Sequence, residues 1–470
     1  MSTTQDSAIT SDVKINMLPD DVLLKIFVFY VDEMRRTGGW HPLVHVCQKW
    51  RNIALGSPYH LNLQLVHTEK TPIKEILEVW PPLPIVIKGD YYKESDWDDL
   101  IATLEHNDRV CEIRLWYISS ALWERVSGAM QVPFPALTDL DLLVSDTPAW
   151  VVPDSFLGGS APRLHNLALN GASFLGLPKL VMSTPNLVKL ILRNIPHSGY
   201  ISPEAMVDCV STLTRLKELE LRFKSPQSRP DHETRRSLLP TRALLPTLTD
   251  FYFYGVCDYL EDFVARIDTP LLNSMGIDLF HQTTFETPQL AQFIGRVPHL
   301  RASDEARIFF SDNNVSITLP GPAPFDQGLD LEVPCRQLGL QLAFVAQACS
   351  SSFPQALITT MERLCIIYWP YDQPDNIEDS KWLELLRPFT NAKGLYLSRN
   401  LVPCIAATLQ GLSGEKVIEV LPALQRLFVK DLHPSGSDQE AFEPFIAARR
   451  LSGHPIAISN WDEKWPGDEE

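Results

Sequence analysis

The sequence predicts an α/β protein: a small all-helical block, then an irregular repeat solenoid, a parallel-sheet horseshoe with helices and loops on its convex side. Three observations predict it. A fragment Pro-x-Leu-x-x-Leu-x-Leu returns from Pro135 to Leu142, from Pro162 to Leu169 and from Pro185 to Leu192. With looser copies included, its first apolar positions fall at 110, 137, 164, 187, 216, 248 and 272, in steps of 27, 27, 23, 29, 32 and 24. Between copies, helix-start signals appear, such as Ser202-Pro203 before Met206, Val210 and Leu213. A strand, a turn, a helix and a turn per period describe a solenoid. The 470 residues exceed one compact core and suit a small module with an extended array.

The helical block covers residues 15–63, after a stretch 1–14 expected to be disordered. Pro19 fits a first helical turn, where its missing N–H would have had no partner. Asp20 and Asp21 then suit the positive end of the helix dipole. Val22, Leu23, Ile26, Phe27 and Tyr30 recur at helical spacing, and Phe29 and Val31 widen the stripe. Gly38-Gly39 breaks the pattern. A second helix is predicted with Leu43, Val46, Cys47, Trp50, Ile53 and Ala54 on one face. So short a block does not bury two such faces alone, so a partner or a neighbouring domain is expected.

Leu18-Pro19-Asp20-Asp21-Val22-Leu23, Ile26-Phe27 and Val46-Cys47-Gln48-Lys49-Trp50-Arg51 together resemble the F-box. The gap between the halves, around Asp32–Trp40, is several residues longer than the minimal family pattern. The continuations Gly56–Leu63 and Val79–Ile87 resemble the expanded F-box families of mushroom-type (basidiomycete) fungi. The resemblance implies docking on the Skp adaptor, and through it on a cullin–RING ubiquitin ligase. It implies that Leu18, Pro19, Val22, Leu23, Ile26, Phe27, Val46, Cys47 and Trp50 form or support that interface. The implied role is non-catalytic: a substrate-recognition subunit whose repeats hold a protein target for ubiquitylation and proteasomal degradation. The alternative is a repeat scaffold or sensor whose N-terminal helices only cap the solenoid. The two readings differ in whether Leu18, Pro19 and Ile26 face solvent or pack on the first repeat.

Residues 64–105 read as a connector with a first cap or repeat, and 106–453 as the array, whose spacing resembles leucine-rich repeats. Its copies include Val110/Ile113/Leu115, Leu216/Leu219/Leu221, Leu248/Phe251/Phe253 and Leu272/Met275/Ile277. Later ones are Cys335/Leu338/Leu340, Met361/Leu364/Ile366, Ala392/Leu395/Leu397 and Leu424/Leu427/Val429. Helices are predicted after Thr287-Pro288, on Leu260, Phe263, Val264 and Ile267, and on Trp382, Leu385, Leu386 and Phe389. The Asn that usually follows the second Leu of such repeats is not systematic; Asn170 and Asn194 are isolated instances. With 37 prolines, an irregular, loop-rich array is expected. Residues 303–334 read as a degenerate repeat or an inserted loop. Residues 454–470, with Trp461 and Trp465, read as a cap and an acidic tail.

A formal net charge of −17 argues against nucleic-acid binding. No run of apolar residues is long enough for a transmembrane helix, and the polar N-terminus lacks a signal-peptide layout, so a cytoplasmic or nuclear location is expected. The eight cysteines show no C-x-x-C spacing and read as free thiols in mostly apolar surroundings. No P-loop, dinucleotide, zinc-protease or nucleophile-elbow motif occurs, so neither catalysis nor a cofactor is expected. His41 and His45 near Cys47 are a weak metal candidate. Asp96, Asp98 and Asp99 read as compensation of a helix dipole. Tyr252 and Tyr254 alternate with the inward Phe251 and Phe253, so they either anchor a target or are shielded by a neighbouring loop. Arg114, Trp116, Arg222 and Lys430 fall at similar outward positions.

Overall fold

In a strand, alternate residues face one side, and the last two apolar positions of each copy, such as Ile113 with Leu115 or Leu190 with Leu192, use that parity. Val110, Ile113 and Leu115 are fully buried, as are Leu187, Leu190 and Leu192. The computed structural model describes residues 18–461, apart from 34–38, 59, 70–76, 78–79, 92, 145–149, 174–176, 227–241, 281–286, 322–327, 370–376, 413–415 and 433–435. The expected disordered stretch 1–14 and the tail beyond Trp461, with Trp465, lie outside the described residues. The chain divides into two compact units, residues 1–145 with 155–163, and residues 146–154 with 164–470.

The first unit opens with helices α1 (Asp20–Glu33), α2 (His41–Val46) and α3 (Gln48–Gly56). Leu23, Phe27 and Val31, at i, i+4 and i+8, form the buried stripe of α1. The Phe27 ring meets Trp50 with centroids 4.8 Å apart. Lys49 Nζ donates to the Leu18 carbonyl at 2.8 Å and pairs with Asp20 at 3.2 Å, which ties α3 to the start of α1. The predicted second helix is in fact two. Cys47 is extended (φ −160°, ψ 169°) and breaks the hydrogen-bond ladder. Arg51 Nε donates at 2.8 Å to the Val44 carbonyl, which an unbroken helix would have satisfied from Gln48. Val46 therefore leaves the apolar face and is 55% exposed.

A parallel sheet follows in the order β1 (Leu65–His67), β2 (Ile85–Gly89), β3 (Val110–Ile118), β4 (Asp139–Val144). The first two strands fall in the span read as connector and first cap or repeat. Helices α4 (Trp97–Leu104) and α5 (Ser120–Ala129) return the chain between strands. Asp98, in the first turn of α4, also pairs with Arg125 of α5 at 2.6 Å.

The second unit carries strands β5 (Trp150–Val151), β6 (Asn166–Asn170), β7 (Ala172–Ser173), β8 (Lys189–Ile195), β9 (Glu218–Phe223), β10 (Ala243–Leu244), β11 (Asp250–Gly255), β12 (Ile267–Asp268) and β13 (Ser274–Leu279). It continues with β14 (Glu305–Phe310), β15 (Asn314–Leu319), β16 (Gly328–Pro334), β17 (Arg363–Tyr368), β18 (Gly394–Leu397), β19 (Arg426–Lys430) and β20 (Ala457–Trp461). Its main sheet runs β6-β8-β9-β11-β13-β16-β15-β14-β17-β18-β19-β20. All neighbours are parallel except β15, which pairs antiparallel on both sides. Short pairs β5–β7 and β10–β12 lie beside it.

The returning helices are α6 (Leu177–Met182), α7 (Pro203–Ser211), α8 (Cys257–Val264), α9 (Pro288–Arg296), α10 (Leu338–Gln347), α11 (Asp379–Leu386), α12 (Val402–Gln410) and α13 (Ser437–Leu451). They cover the face to which the repeated apolar residues point. Phe251 packs on Phe263 at 5.5 Å, Phe253 stacks on Tyr259 at 5.8 Å, and Phe310 meets Trp382 edge-on at 6.1 Å. Each such ring, fully buried, contributes about 1.5–3 kcal/mol of transfer free energy.

Two predicted helix starts illustrate local and non-local capping. Ser202 Oγ accepts from the Ala205 N–H at 3.2 Å, as its position before Pro203 predicts. Thr287 does not cap α9 with its side chain; its hydroxyl bonds instead to Ser352. The cap comes from Glu261 of α8, whose carboxylate accepts from the N–H groups of Gln289 at 2.9 Å and Leu290 at 2.7 Å.

Residues 303–334 are neither a single degenerate repeat nor an inserted loop. From β13 the chain passes over two strand positions to form β14, turns back as β15, and fills the place beside β13 with β16. The predicted copy Cys335/Leu338/Leu340 is consequently wrong. The inward residues are Leu329, Leu331 and Val333 of β16, while Leu338 and Leu340 belong to α10 and Leu340 is 50% exposed.

Candidate functional site

Two faces carry the functional candidates among the described residues. The first lies on α1. Val22, Ile26 and Phe29, at i, i+4 and i+7, are 37%, 40% and 77% exposed. They form an apolar row turned away from the buried stripe, with exposed Pro19 and half-buried Leu18 at its start. A contiguous apolar row left in water is a feature of interaction surfaces. Of the residues named for this interface, Leu23 and Phe27 are fully buried and stand beneath the row. Cys47 and Trp50 are half-buried, Trp50 because its ring packs on Phe27. Val46 is exposed beyond the kink. Phe29 belongs to the row although sequence reasoning counted it only as widening the stripe; its spacing from Val22 and Ile26 was the available signal.

His41 and His45 do not assemble a metal centre. His41 stacks on Trp40 at 4.1 Å, and both imidazoles meet Trp80 edge-on. Among the described residues no group of three or more His, Cys, Asp or Glu side chains could hold a metal ion. None of the eight cysteines is in a disulfide, and five of them are buried. Burial raises the Cys349 thiol to about 12.

The second face is the side of the sheets away from the helices. A Glu-x-Arg pattern recurs there. In the first unit, Glu112 pairs with Arg114 on its own strand at 2.6 Å and with Lys88 of β2 at 3.1 Å. Trp116 Nε1 donates to Asp141 at 3.1 Å, and the indole is 37% exposed. In the second unit, Glu220 is clamped between Arg222 of β9, at 2.5 Å, and Arg193 of β8, which reaches it with two N–H groups at 2.7 and 2.8 Å. Burial alone would raise the Glu220 carboxyl, but Arg193 and Arg222 hold it below the ordinary carboxylate value. Glu305 pairs in the same way with Arg307 and Arg363.

Register gathers three of the named target-binding candidates. Arg222 pairs with Tyr254, and Tyr252 lies one step away on the same strand, facing Gly276. Arg222 and Tyr252 line a cavity of ≈ 220 Å³ with Ser274, Gly276, Asp278 and Asp330. Gly276 makes room for the Tyr252 ring in that wall: a Cβ there would meet Tyr252 Cδ1 at 2.7 Å. Tyr254 packs on Phe280 at 4.6 Å. Asp278 is pushed up to about 6 by burial first and then by Glu332, with Asp330 and Glu220 adding and Arg222 opposing. Asp330 is raised by burial, although Thr318 donates to it at 2.7 Å. Neither aspartate was singled out from the sequence. Asn170 and Asn194, read as isolated, hydrogen-bond to each other at 2.8 Å, with Asn194 in the left-handed region (φ 50°).

No protein-family model and no curated protein matches this chain. Among solved structures, the leucine-rich repeat-containing protein LegL7 from Legionella pneumophila is similar at 16% identity and a TM-score of 0.26, over 72% of this chain and 95% of that one. No helix among the described residues is long and apolar enough to cross a membrane.

Proposed function

We propose that this chain is a target-recognition subunit of a Skp–cullin–F-box ubiquitin ligase. In this reading the N-terminal helices dock on the Skp adaptor, and the repeat strands present a protein target. Catalysis belongs to the partners, and this chain contributes proximity and orientation. One observation carries the reading: Val22, Ile26 and Phe29, with Pro19, stand in water as an apolar row on α1. A module that only capped the solenoid would have buried that row on the first repeat. The match to the F-box pattern at Leu18–Leu23, Ile26-Phe27 and Val46–Arg51 points the same way.

The test is co-purification with the Skp adaptor, comparing wild type with Ile26→Ser/Phe29→Ser and with Leu18→Ala/Pro19→Ala. Wild type retains the adaptor and both variants lose it, while circular dichroism stays unchanged because none of the altered side chains belongs to the buried stripe of α1. A folded wild type that retains no adaptor overturns the proposal and leaves the repeat scaffold as the better reading.

A further inference from the structure

From the helix-free face of the second unit we infer that the cavity between Tyr252 and Asp330 is a docking pocket for a basic side chain of a partner protein, an arginine in the first instance. The inference deepens the target-holding role proposed for the repeats, but it is tested without the adaptor. The cavity, ≈ 220 Å³, is smaller than the roughly 300–1,000 Å³ of small-molecule sites, a size that suits one long side chain. Its walls are chemically suited to a guanidinium. Tyr252, whose ring lies against Gly276, contributes an aromatic side chain to the lining, and aromatic faces attract planar cations. Asp278 and Asp330 supply carboxylates to the lining, and neither has a basic partner within ion-pair distance among the described residues; Asp330 accepts from Thr318.

The charge balance at the site favours a cation. Four carboxylates gather there, Glu220, Asp278, Asp330 and Glu332, against the two guanidinium groups of Arg193 and Arg222. Both guanidiniums are already engaged by Glu220, so they offer little to an incoming anion. Carboxylates that outnumber their counter-ions are costly to crowd, and an arriving cation reduces that cost. Arg222 remains partly exposed, with 42% of its side chain in solvent, so the mouth of the cavity is open to a partner.

The experiment titrates the full-length protein against a short fluorescent peptide of alternating arginine and serine, followed by anisotropy. A peptide with citrulline in place of arginine has the same shape without the charge. Asp278→Asn/Asp330→Asn is compared with Asp208→Asn/Glu384→Gln, an equal charge change on exposed helical positions. The pocket double variant is expected to weaken binding at least about tenfold, the helical double variant less than about twofold, and the citrulline peptide is expected not to bind. Equal weakening by both double variants, or no binding of the arginine peptide to wild type, overturns the inference. Asparagine is isosteric and still accepts from Thr318, so loss of binding with an unchanged urea midpoint or a raised one is not misfolding. Loss of adaptor co-purification leaves this result untouched, so the two failures are distinguishable.

Discussion

Replacing Asp278 by Asn should make the protein more stable. The folded carboxyl titrates near 6, against an ordinary value of 3.8, because burial and then Glu332, Asp330 and Glu220 outweigh Arg222. Groups facing Asp278 come from β9 (Glu220, Arg222), β11 (Tyr254) and β16 (Asp330, Glu332). An acid with a raised folded value contributes stability that is present below its unfolded value and lost as pH rises through its folded one. Ionised Asp278 is therefore a penalty above about pH 6. Raising the carboxyl from 3.8 to about 6 corresponds to about 3 kcal/mol, and solvent screening at this partly exposed site reduces that to roughly 1–2 kcal/mol. Urea denaturation of wild type and Asp278→Asn at pH 8 and again near pH 4.5 measures it. The variant should be more stable by that amount at pH 8, and the gap should narrow on acidification as wild-type Asp278 takes up its proton. Equal midpoints at pH 8, or a gap that does not shrink, would refute the electrostatic account. Stability gained together with loss of a basic ligand is the trade expected of a binding residue.

Two further outcomes follow from contacts between repeats. Glu261→Ala removes the acceptor for the Gln289 and Leu290 N–H groups and should cost about 1–2 kcal/mol, with hydrogen exchange accelerated first in the opening turn of α9. Arg449 is fully buried and donates to the carbonyls of Val417, Leu421, Pro422 and Leu424 at 3.2 Å each; Arg449→Met leaves these acceptors unsatisfied and should cost about 3–5 kcal/mol, seen as early exchange of β19 and α13 while β8 and β9 stay protected.

Much of the repeat architecture was legible because its signal is local. The parity of Leu140 and Leu142, or of Leu219 and Leu221, follows from the pleat alone. Ser202-Pro203 announces α7 because both residues act within one turn. Failures occurred where the determining contact is distant in sequence. Thr287-Pro288 reads like the same signal, yet the cap is Glu261, 28 residues away from Gln289. The break at Cys47 is stabilised by Arg51 turning back to a carbonyl, which apolar periodicity does not register. Leu23 and Phe27 recur at the same helical spacing as Val22 and Ile26; only the packing of the folded helices, Phe27 on Trp50 included, separates buried support from exposed row.

Strand parity, most of the inward apolar set and helix starts such as Ser202-Pro203 were legible in the sequence, because each depends on backbone period and on residues a few places apart. The order of strands between β13 and β17 was decided only by the tertiary structure, since any strand edge offers the same N–H and C=O groups to several candidate neighbours. By seating β16 beside β13, the fold sets Asp330 next to Gly276 and Glu332 next to Asp278. These residues stand more than 50 positions apart in the chain, so the charged cavity they form exists only once the strands have paired.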